Sequence, residues 1–201
     1  MGVICVFGDS NEWGAWDTEL GGWVNRLRLW LDKRCFSEDD FYYETYNLGI
    51  NGNNSDNLLS RIEGEASARN PDIILIDIGS NDSANPESDN AVTLEDYKNN
   101  LSLIIDSAKS FTDKVAFLSL LPVDEKRTKP VEWDKNVFFT NKRISDYNDV
   151  LLSVCKNRGI EVIGLSSVSI NDSPDGLHLS SKGHEAVFHK VKDFLTGKKW
   201  L

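Results

Sequence analysis

Apolar residues along this chain fall alternately into short continuous runs and longer, helically spaced stripes. The runs have the length of buried strands, and Ile73–Ile78 is rich in the β-branched residues typical of a central parallel strand. Stripes with apolar residues every three or four positions predict amphipathic helices. The predicted strands are Val3–Phe7, Phe41–Leu48, Ile73–Ile78, Val115–Leu121 and Ile160–Gly164, and the predicted helices cover 21–34, 55–68, 93–108, 144–158 and 181–195.

Strands and helices alternate throughout, which favours right-handed crossovers and a mainly parallel sheet. We therefore expect an α/β fold, a three-layer α/β/α sandwich with helices on both faces of the sheet. The chain of 201 residues is long enough for one core and too short for two comfortable domains, so we expect a single domain over 1–201 with a tail at 196–201. The long charged segment Pro122–Phe139, which contains Trp133, is a candidate lid.

The formal net charge of −10 argues against nucleic acid and anionic lipid surfaces, which attract clustered Lys and Arg. It favours a neutral or cationic small substrate. No apolar run has the length of a membrane span, and Met1 leads straight into the first strand without a signal-peptide pattern, so no membrane insertion is expected. Three cysteines, Cys5, Cys35 and Cys155, lack metal-binding spacing and indicate a reducing, cytoplasmic location. The oligomeric state is left open.

Three predicted strands end in polar loops that contain glycine: Gly8-Asp9-Ser10, Gly49–Asn54 and Gly79–Asp82. The carboxyl ends of parallel strands lie along one edge of a sheet, so these loops are expected to converge on one cleft. Ser10, held by a rigid strand, is a candidate nucleophile. Taken alone, Gly-Asp-Ser is also ordinary turn composition.

A serine nucleophile needs a histidine base and a carboxylate that orients it. The chain has only His178, His184 and His189. His184 and His189 are five residues apart on the last predicted helix, which is not the spacing of a helical zinc pair, and we interpret them as surface or helix-face residues. His178 stands in a loop three residues after Asp175, close enough for the carboxylate to reach the ring.

Four sequence blocks together resemble the SGNH or GDSL hydrolase family. They are Gly8-Asp9-Ser10 followed by Gly14, Asn47–Gly52, Gly79–Asp82 and Asp175-Gly176-Leu177-His178. The resemblance implies a flavodoxin-like sheet and a Ser10–His178–Asp175 mechanism that uses no cofactor and no metal. It further implies an oxyanion hole formed by the N–H groups of Ser10 and Gly52 and the side chain of Asn81. The departures are Asn11 and Leu179, where the family has leucine or isoleucine and proline, respectively.

These features predict a serine hydrolase that cleaves small carboxylic esters, with short acyl or acetyl groups favoured. A metal-dependent phosphoesterase is the first alternative, because a divalent ion between the strand ends could take Asp9, Asn81, Asp82, Asp175 and His178 as ligands. An inactive module that binds a carbohydrate or another small molecule is the second. Trp13 and Trp16 either line an acyl or sugar pocket or serve in packing.

Overall fold

The computed structural model describes all 201 residues, and its centre is one sheet of five parallel strands in the order β2-β1-β3-β4-β5. This confirms the predicted α/β fold with a parallel sheet. The strands agree with the apolar runs to within a few residues at each end. They are β1 (Gly2–Gly8), β2 (Tyr43–Gly49), β3 (Ile73–Ile76), β4 (Val115–Leu118) and β5 (Glu161–Ile163).

Helices cover both faces of the sheet, and none is both long and apolar enough to cross a bilayer. The long helices α3, α4 and α6 pack on one face, and α2 and α7 pack on the other. The short helices α1 and α5 were not predicted. The helices are α1 (Ser10–Trp13), α2 (Trp23–Cys35), α3 (Ser55–Ser67), α4 (Leu94–Lys109), α5 (Glu125–Thr128), α6 (Asn141–Arg158) and α7 (Ser181–Gly197).

The central strand β1 shows why the strand runs are continuously apolar. Cys5 and Phe7 point into the core on the α3–α4–α6 side, and Ile4 and Val6 point into the core on the α2–α7 side. All four side chains are fully buried. A strand covered on both faces has no polar side, so the period-two alternation of a half-exposed strand is absent.

The chain end is not the tail that we predicted over 196–201. Helix α7 continues through Gly197, and the Trp200 ring packs edge-on against Phe194 at a centroid distance of 5.1 Å. The Trp200 carbonyl oxygen also accepts a hydrogen bond from Lys114 Nζ at 3.0 Å. Trp200 and Leu201 close the apolar side of the α2–α7 layer, and this burial holds the end in place.

Segment 122–139 has more structure than its charged sequence suggested. It contains α5, and its apolar residues Val123, Val131 and Phe139 are buried in the core on the α3–α4–α6 side. The segment is therefore packed against this core. Its movement as a lid stays a prediction.

Candidate active site

Ser10 lies where β1 turns into α1, and the local sequence fixes this turn. The Asp9 side chain caps α1 by accepting from the Asn11 N–H, and the Glu12 side chain accepts from the Asp9 N–H in return. This reciprocal capping satisfies donors that a helix start leaves free. A side chain at Gly8 would place its Cβ 2.1 Å from the Glu12 carboxylate, so only glycine fits before Asp9.

The structure brings Ser10, His178 and Asp175 into one hydrogen-bonded line. Ser10 Oγ lies 2.9 Å from His178 Nε2, and His178 Nδ1 lies 2.6 Å from Asp175 Oδ2. The other carboxylate oxygen, Oδ1, accepts from the N–H groups of Leu177 and His178 at 2.9 Å each. Gly176 permits this fold-back with a left-handed φ of 86°. In this arrangement the imidazole can take the serine proton while the carboxylate stabilises the resulting imidazolium.

Asp175 is held in its charged form. Burial opposes ionisation of this carboxyl, but hydrogen bonds from the His178 ring and from two backbone N–H groups outweigh it and lower the Asp175 pKa well below its ordinary value. The group therefore presents a full negative charge to the imidazole at neutral pH.

Gly52 and Asn81 line the same cavity as Ser10, as the predicted oxyanion hole requires. The Gly52 N–H, in a turn with φ of 76°, has no acceptor within the chain. Asn81 Nδ2 lies 3.0 Å from Asp9 Oδ2 and 2.9 Å from the Asn53 carbonyl oxygen, so both of its hydrogens are used. Donation from Asn81 to a substrate oxygen therefore requires one of these bonds to open or to be shared.

The cavity beside Ser10 has a volume of about 580 Å³, and five of its sixteen lining residues are hydrophobic. No lysine or arginine lines it. The apolar part of the lining includes Trp133, whose ring centroid lies 5.8 Å from that of His178. The polar part, called the polar wall, carries amides, a hydroxyl and carboxylates. The polar wall consists of Asn51, Glu87, Ser88, Asp89, Asn90, Asp134 and Asn136.

Of the two roles considered for Trp13 and Trp16, pocket lining is not observed, because neither residue borders this cavity. The Trp16 indole N–H instead donates to Asp175 Oδ2 at 2.8 Å. The tryptophan on the cavity wall is Trp133, from the candidate lid segment. Nothing in the sequence pairs residues 159 positions apart, so this contact could not have been predicted from local spacing.

His184 lies on a face of α7, and that face is fully buried, which excludes the surface position that we also considered. Its Nε2 donates to the Ala15 carbonyl oxygen at 3.0 Å, and its Nδ1 accepts from the Trp23 N–H at 3.3 Å. Burial lowers its pKa, which favours the neutral ring that these two bonds need. His189, on the same helix, is half-exposed as predicted.

Three carboxyl groups near the strand ends, Glu12, Asp77 and Asp82, have raised pKa values. Burial, together with the charges of Asp77 and Asp9, raises the pKa of Glu12 well above its ordinary value. Burial likewise raises the pKa of Asp77 to about 8 and that of Asp82, bonded to Ser55, to about 7. The structure contains no group of three or more His, Cys, Asp or Glu side chains arranged to hold a metal ion.

The raised pKa values predict a fold that loses stability as pH rises. Between about pH 4, where such carboxyls ionise in an unfolded chain, and about pH 8, the folded protein binds more protons than the unfolded one. Asp175, whose pKa is lowered, acts below this window, and His184, whose pKa is also lowered, opposes the three carboxyl groups within it as a single group. We expect the melting temperature to fall across it, and to fall less for Asp77→Asn, which removes one titrating group. Thermal unfolding followed by circular dichroism at several pH values gives the slope of melting temperature against pH for the wild type and for Asp77→Asn.

The exposed carboxylate Asp113 supplies the control, as Asp113→Asn changes the net charge by the same amount. Its melting temperature should follow the wild-type pH dependence. Equal slopes for all three proteins would contradict the assignment of this pH dependence to Asp77.

Comparison with known proteins gives matches along most of the chain. The sequence pattern of the GDSL-like Lipase/Acylhydrolase family matches residues 6–186. The "GDSL esterase/lipase WDL1" of Oryza sativa subsp. japonica is 28% identical over an alignment of 169 positions that covers 76% of this chain and 64% of that protein. The "Isoamyl acetate-hydrolyzing esterase 1 homolog" of Homo sapiens is 26% identical over an alignment of 210 positions that covers 92% of this chain and 77% of that protein. The chain thus spans about two thirds of the length of the rice relative.

A solved structure shares the whole fold. The lipase/acylhydrolase from Enterococcus faecalis superposes with a TM-score of 0.79 at 22% sequence identity, covering 98% of this chain and 97% of that one. This likeness is one of architecture: the same parallel sheet and helical layers carry a largely different sequence.

Proposed function

Since this chain belongs to the GDSL-like lipase/acylhydrolase family, we propose that it hydrolyses carboxylic esters, with Ser10 as the nucleophile, His178 as the general base and Asp175 as the orienting carboxylate. One observation carries the proposal. Hydrogen-bond distances of 2.9 Å and 2.6 Å connect the serine hydroxyl, the imidazole and the carboxylate, and they do so beside an open cavity. This is the order of groups that a serine hydrolase needs.

In the proposed reaction Ser10 Oγ attacks the ester carbonyl carbon while its proton passes to His178 Nε2. The tetrahedral intermediate collapses as the C–O bond to the alcohol breaks, and Nε2 returns the proton to the departing oxygen. Water then attacks the acyl-enzyme by the same route and releases the acid. Throughout, the carboxylate of Asp175 stabilises the imidazolium at Nδ1.

The proposed oxyanion hole consists of the N–H groups of Ser10 and Gly52 and the Asn81 amide. Ser10 is the first residue of α1, where helical N–H groups have no intrahelical acceptor. The free Gly52 N–H supports its role, and the Asn81 amide joins by giving up its bond to the Asn53 carbonyl oxygen. We place this exchange at Asn53 because the other partner, Asp9, is a carboxylate and binds the amide more strongly.

We expect Asn81→Ala to lower kcat about a hundredfold, since an oxyanion donor contributes about 2.7 to 4 kcal/mol of transition-state stabilisation. Steady-state kinetics on p-nitrophenyl acetate measures it. Asn90→Ala, which removes another amide from the same cavity, should leave kcat within about twofold because the Asn90 side chain makes no hydrogen bond in the chain. An Asn81→Ala enzyme with wild-type kcat would remove Asn81 from the oxyanion hole.

The lining of the cavity favours an ester substrate with a short acyl group and a neutral or cationic alcohol portion. Most of its lining is polar, which offers little apolar surface to a long acyl chain, and its charged residues are all carboxylates. The human relative is named for hydrolysis of an acetate ester, isoamyl acetate. We propose that this chain likewise favours acetyl or other short-chain esters.

The test is the hydrolysis rate of p-nitrophenyl esters from acetate to laurate, for wild type and Ser10→Ala, with and without EDTA. Activity that survives EDTA, disappears in Ser10→Ala and declines with acyl length supports the proposal. Loss of activity with EDTA alone would favour a metal-dependent phosphoesterase instead. Absence of hydrolysis with every ester, together with measurable binding of an acylated sugar, would favour a binding module.

The cytoplasmic location also stays a proposal. It is supported by Cys5, Cys35 and Cys155, which are all present as free thiols. Cell fractionation with an antibody against the chain tests it.

A further inference from the structure

Asp175 Oδ2 has two donors within reach. One is the protonated Nδ1 of His178 at 2.6 Å, and the other is the indole N–H of Trp16 at 2.8 Å. We infer that Trp16 is a positioning residue of the hydrogen-bonded relay formed by Ser10, His178 and Asp175. It acts through the hydrogen bond from its indole to Asp175. This inference rests on the proposed function and deepens it.

The indole completes the coordination of the Asp175 carboxylate. Oδ1 accepts from two backbone N–H groups and, at 3.5 Å, from the Ser173 hydroxyl, and Oδ2 accepts from the indole and the imidazole. The four N–H donors, all within 2.9 Å, hold the carboxylate plane, and a carboxylate that cannot rotate keeps the imidazole oriented toward Ser10. The indole N–H also partly compensates the negative charge at Oδ2. The carboxylate therefore stabilises the protonated His178 ring less strongly than it would without the indole.

The Trp16 ring also restrains the imidazole directly. It lies edge-on to His178, with ring centroids 6.5 Å apart and an interplanar angle of 74°. Trp133 contacts the same imidazole from the cavity wall. The two tryptophans therefore limit rotation of the histidine, but only Trp16 adds a hydrogen bond to the carboxylate.

The fold holds Trp16 in a backbone conformation that a large side chain rarely adopts, with φ of 63°. Both neighbours of Trp16 are fixed to other elements. The Ala15 carbonyl oxygen accepts from His184 of α7, and the buried Asp17 side chain accepts from the Gly22 N–H at 2.8 Å and from the Ser181 hydroxyl at 2.7 Å. Buried His184 and Asp17 thus hold the turn that delivers the indole to Asp175.

Trp13 provides a matched control. It is as exposed as Trp16, at 58% against 56% of its surface, and it lies three residues away. Its indole N–H makes no hydrogen bond within the chain. A Trp-to-Phe change at residue 13 therefore removes an indole N–H without removing a contact to the relay.

The first experiment compares pH profiles of kcat/KM for wild type, Trp16→Phe and Trp13→Phe on p-nitrophenyl acetate. We expect Trp16→Phe to lower kcat about tenfold with unchanged KM, because Trp16 does not border the cavity. The acidic limb of the Trp16→Phe pH profile should move to higher pH by about 0.5 unit. Without the indole N–H, the Asp175 carboxylate stabilises the His178 imidazolium more strongly than in the wild type. Trp13→Phe should match the wild type. A reduced kcat with an unmoved acidic limb would overturn the inference and leave Trp16 a packing role.

Other titratable groups face His178 and are the same in all three proteins. They are Asp9 at the start of α1, His184 in α7, and Glu87, Asp89 and Asp134 on the polar cavity wall. A difference between Trp16→Phe and Trp13→Phe is therefore not due to these groups.

A second readout does not depend on activity. In ¹H–¹⁵N spectra of the wild type, the indole N–H resonance of Trp16 should move as the Asp175–His178 pair titrates, and that of Trp13 should stay fixed. This result would support the inference even if the enzyme cleaved no ester. Equal insensitivity of both resonances would overturn it. If Trp16→Phe fails to fold, Trp16→Gly tests the same loss of the donor, because glycine accepts the left-handed backbone.

Discussion

Replacement of Ser10 by alanine should lower kcat for p-nitrophenyl acetate by roughly 10⁴-fold to 10⁶-fold, which is the largest effect that we expect from any single change. No other hydroxyl is hydrogen-bonded to His178, so no second side chain can take the place of the proposed nucleophile. The fold should survive. Apart from His178, the Ser10 hydroxyl contacts only Asp9 Oδ1, at 3.5 Å, and this weak contact adds little to stability.

The control for this prediction is Ser88→Ala, which removes a hydroxyl from the polar wall of the same cavity. Its kcat should stay within about threefold of the wild type, with any change appearing in KM. Stopped-flow and steady-state assays compare kcat and KM for the wild type, Ser10→Ala and Ser88→Ala. Melting temperatures of the same three proteins show whether the fold is kept. A Ser10→Ala protein that keeps a tenth of the wild-type kcat would show that another nucleophile performs the reaction.

Asp175→Asn should reduce kcat about 10⁴-fold, through the tautomer of His178. The N–H groups of Leu177 and His178 require an acceptor at the Oδ1 position, so the introduced amide oxygen must lie there. The amide NH₂ then occupies the Oδ2 position and donates to His178 Nδ1. This leaves the ring proton on Nε2, where it blocks transfer from Ser10. The Trp16 indole N–H, facing the same NH₂ group, loses its acceptor.

Asp172→Asn separates this effect from the loss of a charge. Asp172 lies three residues before Asp175, and its exposed side chain is 3.6 Å from Lys182. Exposed ion pairs contribute little, so kcat and the melting temperature should both be unchanged. NMR of the His178 ring nitrogens would show the tautomer directly. Protonated Nδ1 in Asp175→Asn would contradict the tautomer explanation.

The sequence was sufficient to predict the parallel sheet and the proximity of Ser10, His178 and Asp175, for physical reasons. The apolar runs of β1 and β3 leave no polar face, which places both strands inside the sheet. The spacing of Asp175 and His178 in one turn predicts their contact, because this contact is local. The contact between Ser10 and the turn followed from the family resemblance and from the shared edge of parallel strands.

Features that depend on contacts between distant segments could not be predicted. The burial of His184 depends on acceptor and donor groups at Ala15 and Trp23, about 160 residues earlier. The fixed chain end depends on Trp200 meeting the apolar side of α7 and the edge of β2. The Asn81 bonds to Asp9 and Asn53 likewise join three loops, so sequence spacing gives no sign that its amide hydrogens are already used.

The separation of 168 residues between Ser10 and His178 has a consequence for the order of folding. The turn after Ser10 is bonded to α7 through His184, whose ring donates to the Ala15 carbonyl oxygen. Truncation of the chain before α7 removes this bond, so we expect Ser10 and His178 to take up their observed positions only after the last helix has packed on the sheet.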